Sequence, residues 1–346
     1  MKHLRARNAW TGLLVMAGAL AGCNSRPPAV GSVMTVNGPI PPDRMGTTLT
    51  HEHVLVDFGG AAVASPDRYD RDTVFQTVLP YLQRARALGA RTLVEATPAY
   101  LGRDPILLQR LADASGVQLL TNTGYYGARE DQHLPPHAFT QPADSLAARW
   151  IREWETGIDG TGIRPGFIKI GVDEGPLSDI DRKLIQAAAR THLRTGLTIA
   201  SHTGPAAGAM EQLAVLEAEG VDPSAWIWVH AQAEDDSTFH LRAARRGAWI
   251  SFDGLAADNV RRYVERIGFL KAEGLLHRVL VSHDAGWYHV GEPGGGAFRP
   301  YDVLFTDFLP ALRAAGFTDQ EIRQVIADNP AEAFTVRVRA RPRATG

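Results

Sequence analysis

The stretch Thr48-Leu49-Thr50-His51-Glu52-His53-Val54-Leu55-Val56-Asp57 constrains this chain more than any other. Threonine and branched apolar residues fill it, which predicts a β-strand. Successive side chains of a strand point to opposite faces, so His51 and His53 share one face and Glu52 lies on the other. Residues two apart on a helix do not face each other, so the imidazoles converge only if the segment is extended. A strand ending in two convergent histidines can chelate a cation. Two ordinary histidines near a strand end are the alternative, and the rest of the chain decides between them.

Runs of strand character at residues 48–56, 91–97, 118–126, 167–172, 198–203, 225–231, 248–253 and 278–282 alternate with stretches of helical period, such as 179–194 and 208–219. Gly89, Gly196, Gly220 and Gly247 stand where helix C-terminal caps are expected. Eight strands alternating with helices in 346 residues predict an α/β fold, the (β/α)8 or TIM barrel, over residues 32–336. It is preceded by a short β-hairpin turned at Asn37-Gly38. Residues 127–141, with Pro135 and Pro136, and residues 289–300, with four glycines, are expected as lid-like loops over the barrel's C-terminal mouth. Plain surface loops are the alternative. Residues 337–346 are expected as a basic tail, frayed and solvated.

The N-terminal residues stand apart from this pattern. Lys2, Arg5 and Arg7 precede an apolar run from Trp10 to Ala21, too short to span a bilayer and suited to an export signal over residues 1–22. The run ends in Leu20-Ala21-Gly22-Cys23, which resembles a bacterial lipobox, and Cys23 is the chain's one cysteine. The expectation is an exported domain, lipid-anchored to the bacterial envelope through Cys23 and facing the periplasm, with residues 23–31 as its tether. A plain secretory signal is the alternative. With 36 Lys+Arg against 38 Asp+Glu, nucleic acid is not the expected partner.

In a barrel, chemistry belongs at the strands' C-terminal ends. There the sequence places His51 and His53, Lys169 within Phe167-Ile168-Lys169-Ile170-Gly171, His202 after Ala200-Ser201, His230 after Trp226-Ile227-Trp228-Val229, and Asp284 after Ser282-His283. A lysine buried among apolar residues demands a partner carboxylate or a depressed pKa. As a neutral amine it could also add carbon dioxide and become a carbamate, a carboxylate able to bridge two cations.

With Leu101-Gly102-Arg103-Asp104 and Asp328-Asn329-Pro330-Ala331 added, the motifs resemble those of the phosphotriesterase family of the amidohydrolase superfamily, in that family's order. The resemblance implies two divalent metal ions. His51, His53 and Asp284 would hold the more buried one, His202 and His230 the more exposed one, and carbamylated Lys169 would bridge them. Zinc suits such ligands, with manganese, cobalt or iron as substitutes. A metal-bridged hydroxide would attack the substrate, with Asp284 accepting its proton. The resemblance also makes a homodimer an expectation. Two relay positions depart from the pattern. Asp253 matches, but Gly254 stands where a relay histidine follows it in phosphotriesterases, and Gln232 lies where an early carboxylate is missing. The expected substrate is therefore a lactone or carboxyl ester, with phosphotriester hydrolysis as side activity or as the alternative. A mononuclear deaminase-like barrel and a ligand-binding lipoprotein without catalysis are further alternatives.

Tyr126, Trp287 and Tyr288 are expected to line the substrate pocket, with Tyr100 and Tyr125 nearby. Arg262 and Tyr263 fall where relatives acting on phosphorylated lactones place anion-binding groups. Strand alternation turns His283 away from Asp284, and Glu95 is expected behind the ligands or in a structural role. His133, His137, His192, His240, His277 and His289 are expected as surface or capping residues.

Overall fold

The computed structural model of the protein describes residue 1 and residues 31–341, so the export signal, Cys23 and most of the tether lie outside the described residues. The hairpin is β1 (Val33–Thr35) and β2 (Gly38–Ile40). The barrel follows as β3 (Thr48–Val56), β4 (Thr92–Glu95), β5 (Gln118–Leu120), β6 (Asn122–Thr123), β7 (Phe167–Gly171), β8 (Ile199–His202), β9 (Trp226–Val229), β10 (Trp249–Phe252), β11 (Val279–Val281) and β12 (Gly286–His289). All barrel pairings are parallel, β3–β4–β5 on one side and β6 through β11 in order on the other. The third predicted strand is broken at Thr121 into β5 and β6. The eighth is longer than predicted: it breaks at Ser282–Ala285 and resumes as β12, which pairs with β3 and closes the barrel.

Helices α1 (Arg71–Leu88), α2 (Pro105–Ser115), α3 (Pro136–Thr140), α4 (Ala143–Thr156), α5 (Asp179–Thr195), α6 (Ala206–Ala218), α7 (Ser237–Arg245) and α8 (Val260–Ala272) accompany the strands. The short α3 corrects the expectation of an unbroken loop over 127–141, its proline sitting in the first turn where no N–H is needed. In α1, Asp70 caps the first turn and Val74, Val78, Leu82 and Ala85 form the buried stripe. In α5 a capping box joins Ser178 and Asp181, and Gly196 ends the helix in left-handed backbone. Inside the barrel, Phe167, Ala200, Ile227, Trp249 and Leu280 from successive strands pack with Val33, Met45 and Phe334 at the base. Lys169 and His202 lie two residues beyond Phe167 and Ala200, so strand alternation turns them into the same lumen, one layer nearer the mouth.

The tail is docked rather than frayed as far as residue 341. Arg337 and Arg341 donate backbone N–H groups to Gly196 and Gly220, and Ala340 bridges Val221. Arg339 is buried, its guanidinium bonding Thr198 and the Glu332 carbonyl. His192 is buried too, not at the surface: its Nδ1 lies 2.8 Å from the Leu197 carbonyl, and Nε2 accepts the Arg339 N–H at 2.9 Å. That arrangement needs a neutral ring, and burial pushes its pKa from 6.5 down to about 4. The unfolded chain therefore binds a proton between these values that the folded chain refuses, so this contribution is intact above pH 6.5 and lost as pH falls toward 4. In urea unfolding, the wild type should lose about 3 kcal/mol more than His192→Gln between pH 7 and 4. Parallel pH profiles for the two proteins would show that His192 does not couple the tail to acid stability.

Candidate metal centre

His51, His53, Lys169, His202, His230 and Asp284, contributed by five staves, line one pocket of about 330 Å³. His51 and His53 come from β3 and share a face, as alternation requires. His230 and Asp284 arrive differently. Each lies just beyond a strand with φ near +60° and +52°, a left-handed conformation uncommon for residues other than glycine, and each turns inward there. The turn at Asp284 runs so close to β3 that a Cβ on Gly286 would stand 1.7 Å from the His53 carbonyl oxygen. Only glycine fits there.

Hydrogen bonds behind the histidines set their tautomers. Thr97 donates to Glu95 Oε1 at 2.5 Å, so its oxygen accepts from His53 Nδ1 at 2.7 Å. Asp253 Oδ1 lies 2.7 Å from His230 Nδ1, and Oδ2 lies 3.3 Å from His51 Nδ1. All three rings thus hold a proton on Nδ1 and present Nε2 to the pocket. His53 Nε2 stands 3.1 Å from Asp284 Oδ1, and His51 Nε2 stands 3.6 Å from it. With lone pairs facing, buried Asp284 Oδ1 has no hydrogen-bond donor. Ligand atoms of His51, His53 and Asp284 all lie within 4.8 Å of one another, and a divalent cation satisfies this donor set. His202 and His230 face each other with ring centroids 4.4 Å apart, and the Tyr126 hydroxyl lies 3.2 Å from His202 Nδ1.

Charge is distributed to match. Burial, and then the neighbouring His230, hold His202 well below its ordinary range, while burial brings His51 to about 4. Burial also opposes charge on His230, but Asp253 outweighs it and raises that pKa, so a cation there competes with a proton. Burial lowers the Lys169 ammonium to about 8 against the pull of Asp253, Asp284 and Glu95, leaving a neutral amine accessible in mildly alkaline solution. Burial works against charge on Asp284, and positive charge in the pocket, a proton on the surrounding histidines or a cation in its place, holds the carboxylate ionised.

The walls are apolar. Trp287 lies 4.2 Å from the His53 ring, Phe58 stacks on Trp287 at 5.6 Å and 21°, and Tyr126, Leu101, Ala96 and Pro98 complete the slot. Tyr126 and Trp287 thus occupy the expected pocket. Tyr288 does not: alternation along β12 turns it away from Trp287 and under Gly295. Tyr125 and Tyr100 pack instead against His137 outside the pocket. Arg262 pairs with Asp235, and buried Tyr263 accepts the Gly254 N–H at 2.8 Å, so neither reaches the site. His133 and His240 are buried, contrary to expectation. Sequence reasoning missed Phe58 and Thr97, although Thr97 follows Glu95, the last residue of β4, by two positions and alternation could have flagged that pair.

The profile described as the phosphotriesterase family matches residues 31–334. The phosphotriesterase homology protein of Escherichia coli (strain K12) is 32% identical over 297 residues, covering 84% of this chain and 99% of the relative. The N-acetyltaurine hydrolase of Rattus norvegicus is 28% identical over 356 residues, covering 89% and 99%. Among solved structures, the organophosphorus hydrolase from Deinococcus radiodurans superposes with a TM-score of 0.80 at 27% identity, covering 88% of this chain and 97% of that one.

Asp253 is buried and accepts from His230, Ser251 and Gln232, and its Oδ2 lies 3.3 Å from His51 Nδ1, so it orients two candidate ligand histidines at once. Asp253→Asn should keep the fold and weaken zinc binding about 10–100-fold, as loss of a carboxylate behind ligand histidines does elsewhere. Chelator competition measures this, and unchanged affinity would exclude the orienting role.

Proposed function

The chain belongs to the phosphotriesterase family, and from that premise we propose that it is a binuclear metal-dependent hydrolase of lactones or carboxyl esters. The observation that carries the substrate class is the slot itself. Trp287 and Phe58 stack at 5.6 Å and 21° into one flat aromatic wall beside the candidate ligands. A planar acyl centre with two substituents fits such a slot better than a tetrahedral phosphoryl centre with three. The outward route supports the same reading. Gln232 donates to Asp253 Oδ1 at 3.2 Å and accepts the Asp253 N–H at 3.1 Å, and Gly254 beyond carries no titrating group. Asp253 is thereby committed to orienting histidines.

In this reading His51, His53 and Asp284 hold one cation, and His202 and His230 hold the second. Lys169 serves both after its neutral Nζ adds carbon dioxide and loses a proton to give the carbamate. Zinc suits imidazole and carboxylate donors, with manganese, cobalt and iron as substitutes. When bound, the pair supplies Lewis-acid polarisation of the substrate oxygen and acidification of water. The chain's residues do the rest. Trp287 and Phe58 orient the acyl group and exclude bulk water, Tyr126 closes the facing side, and the Asp284 carboxylate oxygen left free by the cation would take the proton of the attacking water. A mononuclear or non-catalytic site leaves buried Lys169 and the His202–His230 pair without a task. Amide hydrolysis is the second reading, favoured by the similarity to N-acetyltaurine hydrolase.

Elemental analysis of the purified domain, followed by a panel of lactones, aryl esters, N-acyl amides and an aryl dialkyl phosphate, tests the proposal. Two metals per chain are expected, with kcat/KM for lactones or esters at least about tenfold above the rest. A preference for the phosphate or the amide would overturn the substrate class. In the same assays Lys169→Ala should lose metal and turnover together, with partial recovery in short carboxylic acids. Two retained metals and full activity would remove the bridge.

The proposal extends to location: export and a lipid anchor on Cys23, argued from Leu20-Ala21-Gly22-Cys23. Cys23→Ser should move the protein from the membrane fraction to the soluble periplasmic fraction, and unchanged membrane association would refute the anchor.

A further inference from the structure

Glu52 stands between two candidate ligands yet has no part in the pocket they line. Alternation sends its side chain to the opposite face of β3, where it is wholly buried. Its carboxylate gathers four donors from one short segment. Oε1 accepts from Ser282 Oγ at 2.7 Å, the His283 N–H at 3.1 Å and His283 Nδ1 at 2.6 Å, and Oε2 accepts the Ala285 N–H at 2.8 Å. The backbone donors at 283 and 285 flank Asp284. The far nitrogen of His283, Nε2, accepts the Leu304 N–H at 2.9 Å, which fixes the ring with its proton toward Glu52.

This segment is the break between β11 and β12, where Asp284 takes up left-handed backbone. Main-chain bonds tie it to β3 on both sides: Asp284 N–H to the His51 carbonyl at 3.1 Å and His53 N–H to the Ala285 carbonyl at 2.8 Å. The Asp284 carbonyl accepts from Trp287 Nε1 and Arg299. These main-chain bonds hold the segment at the strand, but they do not reach the His283 and Ala285 N–H groups. Among the described residues Glu52 supplies the acceptors for both, from the very strand that carries the other two donors of the group.

We propose that Glu52 is the positioning residue for Asp284: its carboxylate clamps the Ser282–Ala285 turn and thereby aims the Asp284 carboxylate at His51 and His53. The proposal rests on the assignment of Asp284 as a metal ligand. Glutamine cannot replace the carboxylate here, because it offers one acceptor oxygen and one NH2 donor. In either orientation its NH2 meets a donor, the Ala285 N–H on one side or the Ser282 and His283 group on the other.

The test is a double-mutant cycle read by zinc affinity in chelator competition, with no turnover involved. Glu52→Gln should weaken zinc binding about 10–100-fold in the wild-type background, as removal of groups behind metal ligands does. In the Asp284→Asn background it should cost less than about twofold, because the ligand it positions is already gone. A general loss of packing would lower affinity equally in both backgrounds and would overturn the proposal. So would unchanged affinity of Glu52→Gln while Asp284→Asn releases zinc. Undiminished zinc binding by Asp284→Asn would refute the ligand assignment itself, and the proposal with it. If Glu52→Gln does not fold, Ser282→Ala removes one donor to the clamp and should show the same pattern at about 3–10-fold.

Discussion

The seam between β3 and the chain from Ser282 to His289 closes the barrel and assembles the metal pocket with the same hydrogen bonds. β3 pairs with β4 on one edge and with β12 on the other, and the Thr50 hydroxyl reaches the Val281 carbonyl. Because a barrel has no free edge, this seam must form for every other stave to be paired on both sides. Asp284 sits in its one interruption. The interruption is tolerated because Glu52, Tyr301 and Arg299 satisfy the polar groups it would leave bare.

Burial governs the chemistry of the pocket in both directions. It lowers the pKa of Lys169, His51 and His202, favouring the neutral forms that bind cations or carbon dioxide. It would equally suppress Asp253 and Asp284, but the Nδ1–H groups of His230 and His51 hold Asp253 ionised, and positive charge in the pocket does so for Asp284. The result is two buried carboxylates with opposed tasks. Asp253 lies behind the rings and fixes their tautomers, while Asp284 lies in front with an unpartnered oxygen. The apolar wall of Trp287 and Phe58 keeps the dielectric low around both.

Much of this was legible in the chain. Eight strand-like runs and the helical stretches between them announce the barrel, because periods of 2 and 3.6 are local properties of sequence. Alternation alone places His51 with His53, and it turns Lys169 and His202 inward with Phe167 and Ala200. It also predicts correctly that His283 turns away from the pocket, where it meets Glu52. Other features were not legible. Alternation would send His230 away from the lumen after Val229, and it is the left-handed backbone at His230 that brings it in. Trp287 and Tyr288 are neighbours on β12, so alternation allows only one of them into the pocket, and that one is Trp287. The tail looked like a solvated basic run, yet Arg339 finds the Glu332 carbonyl and Thr198 and is buried by them.

The sequence by itself determined the staves, the residue types at their ends and the faces those residues occupy, since each depends on neighbours within a few positions. Only the tertiary structure decided which donors meet. The contact of Glu52 with His283 spans 231 residues and that of His230 with Asp253 spans 23, and no local period encodes either. It also decided the shape of the slot, because Phe58 and Trp287 stack only once β12 has paired with β3. Closing the barrel brings these groups to contact distance, where desolvation and hydrogen-bond geometry then set their protonation and their aim.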